Sequence, residues 1–119
     1  LGTHGGEEMK IFLPNVAGNS EAVVYSYLEK IGFKVEIHPS ISHHEIGYPD
    51  IVAEKEGKKI FVEVKNGDSV DGWHQNQISW LASHPDINYF IAIVKMIDKY
   101  PGGTEIFFYK VSLKEDFFV

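Results

Sequence analysis

Apolar residues in this chain switch between two spacings. In "NSEAVVYSYLEKIG", starting at Asn19, Val24, Tyr27, Leu28 and Ile31 follow the i, i+3, i+4, i+7 stripe of an amphipathic helix. Asn19 or Ser20 can cap its start, and Gly32 suits its end. The spacing then shifts to strands: "FKVEIHP", stopped by Pro39, and after the polar loop "SISHHEIG" the two runs "YPDIVAE" and "KKIFVEVK", rich in Val, Ile and Phe. A second helical stripe follows, with Trp73, Gln77, Trp80, Leu81 and His84 on one face, capped by Ser69 or Asp71 and ended by Pro85. "NYFIAIVKMI" is nearly continuous in apolar character, as expected of a strand covered on both faces. "YPGG" is a turn, and "TEIFFYKVS" is a last strand. The predicted order is α-β-β-β-α-β-β, an α/β fold with a mixed sheet flanked by helices.

Three charged residues interrupt this pattern. "KEGK" is the natural turn of a hairpin between "YPDIVAE" and "KKIFVEVK", because Gly57 can adopt the turn conformation. A two-residue loop at Glu56 and Gly57, or a four-residue loop from Lys55 to Lys58, sets Asp50 directly opposite Glu63, with Cα atoms about 4.5 to 5.5 Å apart, whereas a three-residue bulged loop would shift the register by one. The period of two puts Lys65 on the same face. Two facing carboxylates repel unless one takes up a proton or a cation lies between them. Lys65 supplies one positive charge, and a hard divalent cation such as magnesium would satisfy the remaining oxygens. On charges alone, a solvated salt-bridge cluster on an exposed sheet face is the commoner outcome. Glu21, one turn before Val24, and Gln77, three residues before Trp80, shift the balance. Both helices then aim a polar group at a sheet that already carries three inward charges.

Length and composition limit what such a cluster can serve. The chain has 119 residues, 44% of them apolar, which fits one domain over residues 9 to 119. The polar, Gly-rich residues 1 to 8 read as a disordered leader or a cloning remnant. Without cysteine there is no disulfide and no Cys-based metal site, and a reducing, cytoplasmic compartment is expected. No apolar stretch reaches the roughly 18 residues of a membrane span, so no membrane partner is expected. The formal charge of -6 argues against a polyanion partner. All 11 basic residues are lysine, so the bidentate guanidinium that reads guanine is missing and sequence-specific groove readout is not expected.

Taken together, Glu21 on a leading helix, "PD" at Pro49 and Asp50, "EVK" from Glu63 to Lys65 and "QISW" from Gln77 resemble the PD-(D/E)XK nuclease superfamily. "GYPDIV", "FVEVKNG" and "QISWL" are most similar to the small VRR-NUC-type nuclease domains, and next to archaeal Holliday junction resolvases. The resemblance runs from about Ser20 to Val94. It implies a restriction-endonuclease-like fold and cleavage of DNA that depends on magnesium or manganese. It further implies that Asp50 and Glu63 hold the metal with the Val64 carbonyl as a third ligand. By the same resemblance Lys65 positions or activates the attacking water, Glu21 serves a second metal or its water shell, and Gln77 orients Lys65 or the phosphate. One or two such ions would move the formal charge from -6 to -4 or -2. The remaining affinity must then come from lysines on one face, with Lys55, Lys58, Lys59 and Lys95 as candidates. So acidic a domain is expected to need a homodimer or a protein partner, and to read backbone shape or branched DNA rather than sequence. A non-catalytic nucleic-acid-binding or assembly subunit keeping the same fold is the alternative, and a mere surface charge network the third reading.

Other residues offer weaker leads. His38, His43, His44 and Glu45 lack a second cluster that would complete a tetrahedron, so zinc is not expected. His43, His44 and Tyr48 immediately precede the proposed site and are candidates for contact with substrate, as is Lys58. Trp80 falls at core spacing. Trp73, at the start of its helix, could stack on an unpaired base.

Overall fold

The charged hairpin lies within a single six-stranded sheet. A computed structural model of the chain describes residues 8–16, 18–37, 49–67, 75–84, 86–97 and 102–111; the side chains of residues 8, 37 and 75–78 fall outside that description. Chain order is β1 (Glu8–Pro14), α1 (Ser20–Lys30), β2 (Lys34–Ile37), β3 (Ile51–Lys55), β4 (Lys58–Asn66), α2 (Gln75–Ala82), β5 (Asn88–Ile97) and β6 (Gly103–Val111). Spatial order is β1-β6-β5-β4-β3-β2. Only β4 and β5 run parallel, joined by the segment that carries α2; every other neighbouring pair is antiparallel. The expected α/β class and mixed sheet are therefore present.

One element escaped the sequence pattern. Glu8–Pro14 forms an edge strand on β6, so the order gains a leading β, whose first residue is the last of the stretch set aside as a leader. Ile11 and Leu13 pack on the core, whereas Phe12 points the other way and is 43% exposed, which hides the alternation. Pro14 ends the strand, where its missing N–H costs no ladder bond.

The first helix begins and ends where its residues dictate. The Asn19 side chain accepts from the N–H groups of Glu21 and Ala22. At the other end Gly32 takes φ 105°, and Lys55 Nζ donates to the Ile31 carbonyl at 2.6 Å, a cation on the negative end of the helix. Val23, Val24 and Leu28 then pack on Ile51, Ala53, Val62, Ala92, Val94, Ile106 and Phe108 on one face of the sheet. On the opposite face, Trp80 and Leu81 of α2 pack on Tyr89, Ile91, Ile93 and Val111. His84 lies just past α2 yet continues its stripe, stacking on Trp80 with centroids 4.1 Å apart. Because strand residues alternate between faces, each charged side chain is committed to one of these two layers.

Candidate active site

The hairpin holds its register through a two-residue turn. Lys55 pairs with Lys58, and Glu56 and Gly57 between them both have positive φ, 52° and 78°, as a type I′ turn requires. Pairing continues through Val52 with Phe61 to Ile51 with Val62, which is the predicted register. The ladder then stops one step short of expectation. Asp50 lies in a bend outside β3, with Pro49 buried behind it, and its Oδ2 accepts the Val64 N–H at 2.9 Å. The carboxylate thus takes the place of the ladder acceptor that β3 would have supplied. A strand residue directs its N–H and C=O to the same edge in an antiparallel ladder, so the Val64 carbonyl also faces the edge where β3 has ended.

Glu63 and Lys65 flank Val64 on the α2 face of the sheet. They pair across the parallel ladder with Ile91 and Ile93, both in the core under α2. Glu63 is 8% exposed, and its Oε2 lies 3.6 Å from Lys65 Nζ. A charge pair this enclosed needs further polar partners to be tolerable. Tyr89, fully buried on β5 beside Phe61 and packed against Trp80, belongs to the same electrostatic neighbourhood. Burial first, then the Glu63 and Asp50 carboxylates, push its hydroxyl far above the ordinary phenol range. Tyr89 was missed in the sequence because it lies in an almost wholly apolar run. The available signal was a polar tip at a position of β5 that shares the Glu63 face.

The remaining candidates separate. Ser20 at the start of α1 donates to Asn66 Oδ1, tying the helix N-terminus to the end of β4 next to Lys65. Glu21, one residue on, is half-buried there, on the α1 side of the sheet. Gln77 lies in the first turn of α2, over the face that carries Glu63, though its side chain is outside the described residues. His43, His44, Tyr48 and Trp73 also lie outside them. Lys58 is not brought to the cluster. It sits at the far end of β4, five residues and about 16 Å from Glu63 at strand rise, and points to the other face. There it borders an apolar groove of about 470 Å³ lined by Tyr27, Leu28, Phe33 and Phe90, which has no carboxylate. The idea that Lys55, Lys58, Lys59 and Lys95 share a face fails by strand parity. Lys55 and Lys58 belong to the α1 face, and Lys59 and Lys95 to the α2 face.

These donors suit a hard divalent ion. No three His, Asp or Glu side chains converge among the described residues. The protein instead offers two carboxylates and a backbone carbonyl around Val64, all oxygen, with Lys65 already offsetting one charge. Magnesium keeps several waters, so a partial oxygen set of this kind fits it better than it fits zinc.

No protein family and no curated protein matches the chain in sequence. Among solved structures it is similar to Hjc of Archaeoglobus fulgidus, a Holliday junction resolvase from an archaeal hyperthermophile. The match has a TM-score of 0.52 at 15% identity and covers 71% of this chain and 81% of the resolvase. The chain therefore shares the fold of that resolvase, the second of the two likenesses its motifs suggested.

Proposed function

We propose that the chain is a divalent-metal-dependent DNA endonuclease that hydrolyses phosphodiester bonds and selects branched DNA by shape. The observation that carries this reading is the Asp50 carboxylate bound to the Val64 N–H beside the 3.6 Å Glu63–Lys65 pair, all at one end of β4. A resolvase sharing the fold supports the substrate class. Asp50, Glu63 and the Val64 carbonyl would hold magnesium or manganese. Such an ion, when bound, polarises a phosphoryl oxygen and lowers the pKa of its water.

The chain's own residues supply the rest of the reaction. The Lys65 ammonium has three N–H donors and no acceptor, so it can orient the attacking water and hydrogen-bond a non-bridging phosphate oxygen as negative charge builds. Glu63 holds that ammonium along the strand face through their ion pair. One P–O bond forms from water while the P–O bond to the leaving strand breaks; the attacking water loses a proton to solvent and the leaving oxygen takes one up from solvent. In this reading Glu21 reaches the site from the end of α1 to orient solvent or hold a second ion, and Gln77 steadies Lys65 or the phosphate from α2.

The test is cleavage of duplex, flap, four-way-junction and single-stranded DNA in magnesium, manganese or EDTA, with Lys65→Ala alongside. Cleavage of branched substrates, lost in EDTA and reduced at least 100-fold in the variant, is expected, since one transition-state donor is worth about 10²–10³ in rate. Equal activity of Lys65→Ala would sink the mechanism. Cleavage of no substrate would favour a non-catalytic nucleic-acid-binding subunit.

A further inference from the structure

The apolar groove of about 470 Å³ lies on the α1 face, at the end of the sheet away from the carboxylates. Tyr27 and Ile31 at the end of α1 border it, as do Ile60 of β4, Phe90 of β5 and Met9 of the edge strand. Met9 is 48% exposed and Ile31 37%, and Tyr27, Ile60 and Phe90 are only half-buried. Single exposed apolar side chains are ordinary, but a contiguous group of them around one cleft marks a surface that another group covers.

The topology limits what within the chain can cover it. The loops 38–48, 68–74 and 98–101 follow Ile37, Gly67 and Ile97, all at the end of the sheet that carries Asp50 and Lys65. Residues 1–7 and 112–119 instead adjoin Glu8 and Val111 at the groove end, where Met9 pairs with Phe108 and Lys110 with Phe90. Of these two segments, "LGTHGGE" holds one large apolar side chain, Leu1, whereas "SLKEDFFV" holds Leu113, Phe117, Phe118 and Val119. Phe117 is six residues past Val111, up to about 20 Å of chain at roughly 3.3 Å per residue. The groove floor from β6 to β4 spans about 10 Å at ~4.8 Å per strand, so the phenylalanines reach all of it.

We propose that the chain's own C-terminal segment, Ser112–Val119, covers this groove and seats Phe117 and Phe118 in it. Charge permits this occupant and does not choose it. Lys58 is the charged residue of the lining among the described residues, Lys110 lies beside Phe90, and Lys55 is committed to the Ile31 carbonyl. Glu29 at the end of α1 and Glu56 in the turn are exposed carboxylates outside the lining. The side chains of Lys114, Glu115 and Asp116 leave the segment one formal negative charge, so it brings no like charge against Lys58. Point of exit and apolar content select it. The inference is independent of the nuclease reading, because the groove lies on the face opposite Glu63.

The chain has no cysteine, so engineered pairs report proximity without background. The test is cross-linking of the full chain carrying Met9→Cys and Val119→Cys by a short bismaleimide at low protein concentration. The control pair is Phe12→Cys with Val119→Cys, since Phe12 is 43% exposed on the opposite face of the same strand. The Met9 pair should cross-link within one chain and the Phe12 pair should not. Ile31→Cys in place of Met9→Cys, on the helix side of the groove, should give the same contrast. Adding Phe117→Ser and Phe118→Ser should bring the Met9 pair down to the level of the Phe12 pair. In urea melts of the otherwise unaltered chain, those two serines should raise the unfolding equilibrium constant at least about 10-fold, since a buried phenylalanine contributes that much or more. Equal cross-linking of the groove and control pairs overturns the proposal, and so does an unchanged unfolding constant in the serine variant. Cross-links formed only between chains also overturn it, because they put the segment in the groove of a second copy.

Discussion

Replacing Asp50 with asparagine or alanine separates two roles that one carboxylate combines. Its Oδ2 accepts the part-buried Val64 N–H at 2.9 Å, and its charge acts on Tyr89 together with that of Glu63. Asp50→Ala strands that N–H, which costs about 1–3 kcal/mol. For a domain of this size about 1 kcal/mol moves Tm by ~4 °C, so in EDTA the alanine variant should melt about 4–12 °C below wild type. Asp50→Asn keeps an amide oxygen for the same donor and removes charge beside Glu63, so it should stay within ~4 °C of wild type. Magnesium then distinguishes the second role. At a hundred times its Kd the ion adds about 2.7 kcal/mol to the native state, a rise of ~10 °C for wild type. Neither variant should show that rise. The assay is differential scanning fluorimetry in EDTA followed by a magnesium titration. An undiminished rise in Asp50→Asn refutes the ligand role, and equal melting of the two variants in EDTA refutes the structural one.

Two other expectations follow from local geometry. Glu56 and Gly57 both hold left-handed φ, so Gly57→Ala should destabilise the chain by about 1–2 kcal/mol in urea melts, while Glu56→Asn, at home in that conformation, should stabilise it slightly. Burial raises the Tyr89 hydroxyl, with the Glu63 and Asp50 carboxylates adding to it, and burial also raises Tyr27. A raised folded-state pKa gives stability that is complete below the unfolded value of about 10 and is lost as pH climbs from there toward the folded value. Stability measured between pH 9 and 11.5 should therefore fall, and Tyr89→Phe should flatten the fall, leaving the smaller share of Tyr27. An unflattened profile in that variant would put the loss elsewhere.

The hairpin was legible because its constraints are local. Gly57 fixes the turn, the turn fixes the register, and the register carries Asp50 to the end of the ladder beside Glu63. Asn19 and Gly32 likewise mark both ends of α1. The edge strand Glu8–Pro14 was not legible, since its pairing with β6 is made across nearly the whole chain and Phe12 blurs its alternation. The place of Lys58 was misjudged for a related reason. A lysine near a site in sequence is as often on the wrong face of a strand as on the right one, and only the shared register with Ile91 and Ile93 shows which face carries Glu63. Tyr89 needed that same parallel pairing, because a crossover through α2 separates it from the carboxylates it adjoins.

Strand parity narrows the conflict between an acidic chain and an anionic substrate. The strand register assigns Lys10, Lys34, Lys59, Lys65 and Lys95 to the α2 face together with Glu8, Glu36, Glu54, Glu63 and Glu105, five against five, and Asp50 just outside β3 adds one further carboxylate. Elsewhere among the described residues Glu21, Glu29, Glu56 and Asp86 are matched in number by Lys30, Lys55, Lys58 and Lys110. At physiological ionic strength exposed charges are largely screened beyond about 8 Å, so a strand on the α2 face feels that face and little of the rest. A face within one charge of neutral among the described residues becomes positive with the first divalent ion held at Asp50 and Glu63. Metal would then be required for affinity as well as for chemistry, and DNA binding by the proposed nuclease should strengthen with magnesium even in Lys65→Ala, where cleavage is lost.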